Sequence, residues 1–413
     1  MKGFLRTKVA TLSKIVSYRL HLIDYLCSQK TNMTMRQLFL TTALFLLTGL
    51  LGSRANDMLA QPVDAQATTE AKALYQLLLS NYGQQPLTCS MANPVWDYQM
   101  ATDVHTLTDK WPAIHCFDLM HLCYSPTDWI NYENITPVQE WHQQGGYVSL
   151  MWHWQVPASS TDAAKQSVQE RGYTSTASET TFDPTNLQTS GSWEHTLFYQ
   201  DLWEACTVLK ALQDAGIAVL WRPFHEASGN VCNPQGGQAW FWWGKGGPEV
   251  FKDLWHRMYD YFQQQNIHNL LWVWTSCFTD SDWYPGDAYV DIVGTDIYNE
   301  KDPAVITQRF QDLTQRYPSR MVALTECGNV PYLSTMWEEG ALWSWVMPWY
   351  GNSGDDTPWV SDRWWKDAVK QYTPSGITAP RPSAAFGTSV RYYTLDGRPA
   401  SPHHRGPVIK VGR

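Results

Sequence analysis

Short apolar runs alternate with amphipathic stretches along most of this chain, and the alternation repeats eight times. Candidate strands are 87–91, 114–120, 147–152, 218–223, 270–275, 291–296, 321–326 and 341–347. Helical patterns lie between them. The longest, 193–215, places Phe198, Leu202, Cys206, Leu209 and Leu212 on one face and stops at Gly216. A second, 248–265, carries Val250, Leu254, Met258 and Phe262. Shorter ones are 69–82, 136–144, 303–317 and 359–371. Repeated strand–helix units predict an α/β chain folded as a (β/α)8 TIM barrel over about residues 69–373. The alternative is a doubly wound sheet, but the glycine-rich phosphate-binding fingerprint that favours it is absent.

Both ends of the chain differ in texture. Arg36 precedes an apolar run over 38–51, and Ser53-Arg54-Ala55 fits a small-x-small cleavage site, so an export signal is expected. The run is short for a membrane span, and no stable membrane insertion is expected after signal removal. Residues 1–32 carry six Lys or Arg against one Asp, an unusual preface that makes Met33 or Met35 the expected start. After Gln371, Pro374, Gly376, Pro380, Pro382 and Gly387 break regular structure, and 390–398 with 405–410 read as a small hairpin-like tail. The expected organisation is a basic segment plus signal over 1–55, a linker over 56–68, the barrel over 69–373, and a linker with a short β-rich tail over 374–413.

Seven cysteines follow Ala55, with no zinc spacing among them. An exported chain is permitted disulfides. The odd count leaves at least one thiol free or paired between chains, and the loop residue Cys232 is the best disulfide candidate. No metal motif and no cofactor fingerprint is legible. The formal charge is −9, with only 30 Lys plus Arg against 23 Trp and 21 Tyr. No basic stripe with interleaved aromatics appears, so nucleic acid is not an expected partner. A neutral polar ligand with flat apolar faces suits this composition, because sugar rings stack on indoles; most of the tryptophans still belong to packing between helices and sheet.

Two carboxylates stand out. Glu226 ends Trp221-Arg222-Pro223-Phe224-His225-Glu226, and Glu326 closes Met321-Val322-Ala323-Leu324-Thr325-Glu326. In a barrel these positions fall at the carboxyl ends of strands four and seven, which face one rim. Two carboxyl groups across a glycosidic bond, one protonated and one ionised, are the tools of retaining glycosidases. Apolar walls or a neighbouring charge keep one of them protonated. Arg222 is positioned to brace either glutamate.

The strand-four segment with Gly229 and Trp240-Phe241-Trp242-Trp243-Gly244 resembles glycoside hydrolase family 26. So do Tyr284-Pro285-Gly286-Asp287, Val290-Asp291-Ile292-Val293-Gly294-Thr295-Asp296-Ile297-Tyr298 and Thr325-Glu326-Cys327-Gly328. The resemblance implies a retaining endo-β-1,4-mannanase acting on mannan, galactomannan or glucomannan, without a cofactor. It implies Glu226 as acid/base and Glu326 as nucleophile. It places His153 at the sugar being cleaved, His225 beside the acid/base, Tyr298 on the nucleophile and Trp240 on the leaving-group side. Trp349 or Trp345 would be the platform under the reacting sugar, while Trp242 and Trp243 would pack the rim. The tail, with Tyr392-Tyr393-Thr394-Leu395-Asp396-Gly397, resembles short carboxyl-terminal segments of exported Bacteroidetes proteins, which implies a periplasmic, cell-surface or secreted enzyme.

One departure from the family pattern is clear: 230–239 intervenes between Glu226 and the Trp-Phe-Trp-Trp-Gly motif. It is expected either to narrow the cleft or to build a wall near the leaving-group subsites. Rival readings are a related β-glucanase or xylanase, a non-catalytic glycan-binding barrel, and a metal-dependent hydrolase. The presence of both glutamates weighs against the second. The sequence leaves the oligomeric state open.

Overall fold

The computed structural model describes residues 59–124, 130–165, 167, 170–351 and 358–371, and the strands Arg391–Thr394, Pro399–Ala400 and Val408–Val411. The expected export signal and its basic preface lie outside the described residues. Eight parallel strands close into a barrel in chain order: β1 (Leu87–Met91), β2 (Ile114–Asp118), β3 (Tyr147–Met151), β4 (Val219–Arg222), β5 (Leu270–Ser276), β6 (Ile292–Tyr298), β7 (Met321–Gly328) and β8 (Trp345–Pro348). β8 pairs back onto β1, which leaves the barrel sheet without an edge. All eight expected strands are present.

The helices are α1 (Thr69–Asn81), α2 (Gln99–Thr108), α3 (Thr136–Gln143), α4 (Trp193–Asp214), α5 (Pro248–Gln264), α6 (Pro303–Arg316), α7 (Leu333–Glu338) and α8 (Asp362–Gln371). Their starts have local causes. Thr68, Ser192 and Asp302 cap α1, α4 and α6 by accepting from Ala71, His195 and Ala304 backbone N–H groups. Proline sits in the first turn of α3, α5 and α6, where no hydrogen bond is lost. Two of these eight were not expected from the sequence, and neither was the four-residue helix Ser160–Ala163. α2 buries only Ala101 and Val104, so its periodicity is faint, and α7 is six residues long.

Alternate strand residues divide the apolar interior in two, as a two-residue period requires. Cys89, Ile114, Leu220, Val273, Met321 and Met347 fill the barrel's inside. Ala71, Leu74, Tyr75 and Leu78 of α1 join that cluster and plug its amino end. Phe117, Leu150, Trp221, Trp272, Val293 and Leu324 pack outward against the helical ring. Residues 59–68 fasten across the same amino end: the Val63 amide donates to Asp291 (2.7 Å), and Asp64 meets His268 at 2.8 Å.

The last barrel strand differs from its expected limits of 341–347. The run begins as a turn in which Ala341 N–H donates to Met336 and Trp343 packs edge-on against Phe310 of α6. Pairing with β1 starts only at Trp345. The tail strands form a three-stranded antiparallel sheet with Arg391–Thr394 in the centre. Among the described residues no helix is long and apolar enough to cross a membrane.

The Trp-Phe-Trp-Trp-Gly stretch buttresses the rim. Trp242 Nε1 donates to the Trp154 carbonyl (2.7 Å) and Trp243 Nε1 to the His225 carbonyl (2.8 Å). Both indoles are fully buried. Gly244 ends the stretch because a Cβ there would sit 2.0 Å from the Ala227 carbonyl oxygen, one residue past Glu226. Gly244→Ala is therefore expected to destabilise the fold by about 1–3 kcal/mol, as overpacking does. Denaturant titration against the parent chain checks this.

Candidate active site

Two backbone irregularities aim the glutamates. After β4 the chain turns with Phe224 at φ 50° and Glu226 at φ 51°, both in the left-handed region. For a bulky residue such as Phe224 this is costly and needs support from its surroundings. Phe224 receives it from Trp154, Trp242 and Trp243, whose rings pack around its own. On β7 the irregularity is an extra residue. Thr295 and Asp296 are consecutive on β6 but face Leu324 and Glu326, so Thr325 bulges between them. β8 reports the same insertion, with Val346 opposite Leu324 and Pro348 opposite Cys327. Ala323 points into the barrel, and strict alternation would turn Glu326 outward. The bulge resets the phase, and Glu326 faces the barrel axis. Gly294 makes room for it: a Cβ there would lie 2.6 Å from the Thr325 side chain.

Arg222 joins the two glutamates' surroundings. Its Nη1 donates to Glu326 Oε1 (2.6 Å), its Nη2 to Asp296 Oδ2 (2.5 Å) and its Nε to Thr275 Oγ1 (2.8 Å). Tyr298 donates to the other Glu326 oxygen, Oε2, at 2.7 Å. Thr325 Oγ1 lies 2.7 Å from Asp296 Oδ1. Burial disfavours the Arg222 charge, yet Asp296 and Glu326 outweigh it and raise its pKa. Tyr298 is raised too, by burial and then by Glu326 and Asp296, and so stays a donor.

Glu226 is in a different state. Burial, then the charges of Asp296 and Glu326, push its carboxyl well above the usual range; Arg222 only partly offsets them. Its side chain hydrogen-bonds Asp296, which further favours the protonated form of Glu226. Asp296 is itself raised to about 7, chiefly by burial, against the pull of Arg222. Glu226 is thus poised as a proton donor, while Glu326 is fixed by two donors.

An aromatic wall completes the rim. His153 follows β3, and Asp118 at the end of β2 holds both its backbone N–H (3.0 Å) and its Nδ1 (2.6 Å). Burial opposes charge on His153, but Asp118 outweighs it and raises the pKa. The His153 ring meets Trp349 edge-on at 5.7 Å and His225 at 4.4 Å. His225 is buried and neutral: burial, His153 and Arg222 lower its pKa. Its ring also packs near Phe241 and Trp243. Trp240 stands 41% exposed at the edge of a cavity that Glu226 also lines. Trp345, in contrast, is not at this rim. It begins β8, pairs with Leu87 at the start of β1 and is buried in the barrel's interior core. A residue at the amino end of a barrel strand cannot reach the carboxyl rim, so Trp349 alone of the two meets the site.

Among the described residues the cysteines carry no crosslink. Cys232, the best disulfide candidate by sequence, is unpaired, as are the other described cysteines. Among the described residues no group of three or more His, Cys, Asp or Glu is arranged to hold a metal ion.

A family model described as glycosyl hydrolase family 26 matches residues 63–368. The chain belongs to this family. A mannan endo-1,4-β-mannosidase of Thermothelomyces thermophilus is 34% identical over 300 residues, covering 71% of this chain and 58% of the relative. One from Piromyces is 28% identical over 309 residues, covering 72% of this chain and 49% of that protein. The chain thus spans about half the length of the curated relatives it matches. The crystal structure of the GH26 domain of a Prevotella bryantii endo-β-mannanase/endo-β-glucanase is similar at TM-score 0.70 and 41% identity, covering 76% of this chain and 96% of that one. A β-mannanase from a symbiotic protist of the termite Reticulitermes speratus, complexed with gluco-manno-oligosaccharide, matches at TM-score 0.63 and 30% identity, covering 76% and 96%.

In this family 26 chain, Asp296 and Asp118 are site residues that the sequence reading did not single out. Asp296 closes the expected strand 291–296 and Asp118 lies within the expected strand 114–120, both in phase with the inward residues, which was the available signal. Their partners, Arg222 and His153, lie on other strands and were invisible as partners. Arg222 carries the largest electrostatic burden. Arg222→Met leaves Asp296 and Glu326 facing each other unpaired. It is expected to destabilise the fold by about 3–5 kcal/mol, the usual cost of breaking a buried ion pair. Denaturant-induced unfolding at pH 7 reads it.

Proposed function

We propose that this protein is an exported, retaining endo-β-1,4-mannanase that cleaves internal bonds of mannan, galactomannan or glucomannan. The observation that carries the reading is the unequal state of the two rim glutamates, with Glu226 kept protonated and Glu326 gripped by Arg222 and Tyr298. The names of the relatives in family 26 support the substrate class. Export rests on the apolar run 38–51 with Ser53-Arg54-Ala55, and a Bacteroidetes-type origin on the tail motif.

The mechanism follows from these groups. A β-mannan chain lies along the rim with its reacting sugar over Trp349 and against His153. Glu226 donates its proton to the glycosidic oxygen as a Glu326 oxygen attacks the anomeric carbon. The leaving chain departs past Trp240. Glu226, now a carboxylate, takes a proton from water, which opens the mannosyl–Glu326 ester with a second inversion. Arg222 and Tyr298 steady Glu326 throughout. His225, neutral and packed against His153, holds the wall beside Glu226. No cofactor enters these steps.

Reducing-sugar release from galactomannan, glucomannan, lichenan and xylan tests the substrate class. Release from lichenan or xylan in preference to both mannans overturns it. Glu326→Ala is expected to lose turnover by orders of magnitude while circular dichroism still reports a folded chain. Added azide then restores cleavage with inverted product, and turnover like the parent's removes Glu326 from the role. Glu226→Ala should lower kcat by roughly 10²–10⁴, the usual share of a general acid.

Asp296 sets the pH range. Its negative charge and its hydrogen bond both favour a protonated Glu226, so removing the charge lowers the pKa of that donor. Asp296→Asn is expected to move the alkaline limb of the kcat/KM profile to lower pH. An alkaline limb that stays in place contradicts this.

A further inference from the structure

Beyond Glu226 the cleft continues into a cavity of about 300 Å³. Glu226, Asn230, Asn233, Trp240, Phe278 and Arg309 line it, whereas His153, Tyr298 and Trp349 do not. It therefore lies on the side of Glu226 away from the reacting-sugar wall. Its volume is at the small end for ligand pockets, ~300–1,000 Å³.

The walls are built rather than loose. The insertion after Glu226 folds on itself: Val231 N–H donates to the Ser228 carbonyl (2.8 Å), Asn233 N–H to Asn230 (3.1 Å) and Asn230 N–H to Gln238 (3.1 Å). Thr279 Oγ1 ties it to the opposite wall through the Cys232 carbonyl (3.2 Å). In that wall Phe278 is held at φ 80°, a conformation costly for a bulky side chain. Three contacts enforce it. The Phe278 N–H donates to Ser276 Oγ (3.0 Å), its carbonyl accepts from Arg316 (2.8 Å), and the Arg309 guanidinium sits 5.6 Å from its ring centre. Strain maintained this way clusters at ligand clamps. Among the described residues Arg309 has no carboxylate partner, so its donors remain available to the cavity.

An exposed indole, two amides and an unpaired guanidinium around a narrow slot match a pyranose ring: a flat apolar face with hydroxyls at its edge. We propose that the insertion, Phe278 and Arg309 form a sugar-binding site for the leaving-group part of the chain, in which Arg309 and Asn233 hold the second sugar beyond the cleaved bond. This rests on the reading of Glu226 as proton donor to the leaving sugar. The site makes binding there a determinant of which bond is cut.

The experiment compares Arg309→Ala and Asn233→Ala with the parent enzyme on mannopentaose and on 4-nitrophenyl β-mannobioside, whose aryl leaving group lacks the second sugar. Each variant should raise KM for mannopentaose, and the ratio of kcat/KM on mannopentaose to that on the aryl substrate should fall roughly tenfold, as for a lost hydrogen bond from a charged or amide donor. Products should also shift from mannotriose plus mannobiose towards mannotetraose plus mannose. Either variant showing this supports the site, which covers the case where the other fails to fold. Parallel losses on both substrates, or an unchanged ratio and product pattern, overturn it. A parent enzyme active on neither substrate overturns the functional reading itself, a distinct result.

Discussion

The grip of Arg222 on Asp296 and Glu326 is the interaction on which the site depends. Three carboxyl groups, Glu226, Asp296 and Glu326, converge on one buried rim. Without a cation among them their mutual repulsion and desolvation would be prohibitive. One guanidinium, with donors in a planar fork, satisfies two of them at once. The third, Glu226, is left to solve its own desolvation by keeping a proton. The single charge on Arg222 thus divides the carboxyls into held and protonated classes, and a two-step displacement needs that division.

The aromatic supports serve the same division. Trp242 and Trp243 contribute little surface to the cleft, but their indole N–H groups fix the carbonyls of Trp154 and His225. Those carbonyls belong to the loops that carry His153 and Glu226. The proposed platform, Trp349, has its own backbone N–H on the Cys327 carbonyl, one residue past Glu326. Trp349 is therefore tied to the strand that carries Glu326, and the two indoles link the loops that carry His153 and Glu226.

Much of the barrel was legible because its signal is local. Eight apolar runs, helical periodicities and the Gly216 stop are properties of neighbouring residues, and most strands came out near their expected limits. What escaped was long-range or phase-dependent. Asp118 matters through His153, which is 35 positions away, and Asp296 through Arg222, 74 positions away. The Thr325 bulge is invisible to a two-residue period, which would have aimed Glu326 at the helices. The family resemblance leaves Trp349 and Trp345 as alternative platforms; the turn at 341–344 delays pairing until Trp345, which starts β8 and leaves Trp349 at the rim. α2 and α7 were missed for want of apolar periodicity.

Left-handed backbone at Glu226 has a consequence for the chain as a material. Glycine adopts that conformation without penalty and asparagine with less than a glutamate. Position 226 is thus one where a smaller residue would relax the turn while abolishing the proton donor. A screen rewarding only thermal endurance would favour inert molecules there, because rigidity and usefulness pull in opposite directions at that residue. Efforts to harden this barrel belong at its amino end, where α1 plugs the interior and residues 59–68 are fastened, far from the strained turn.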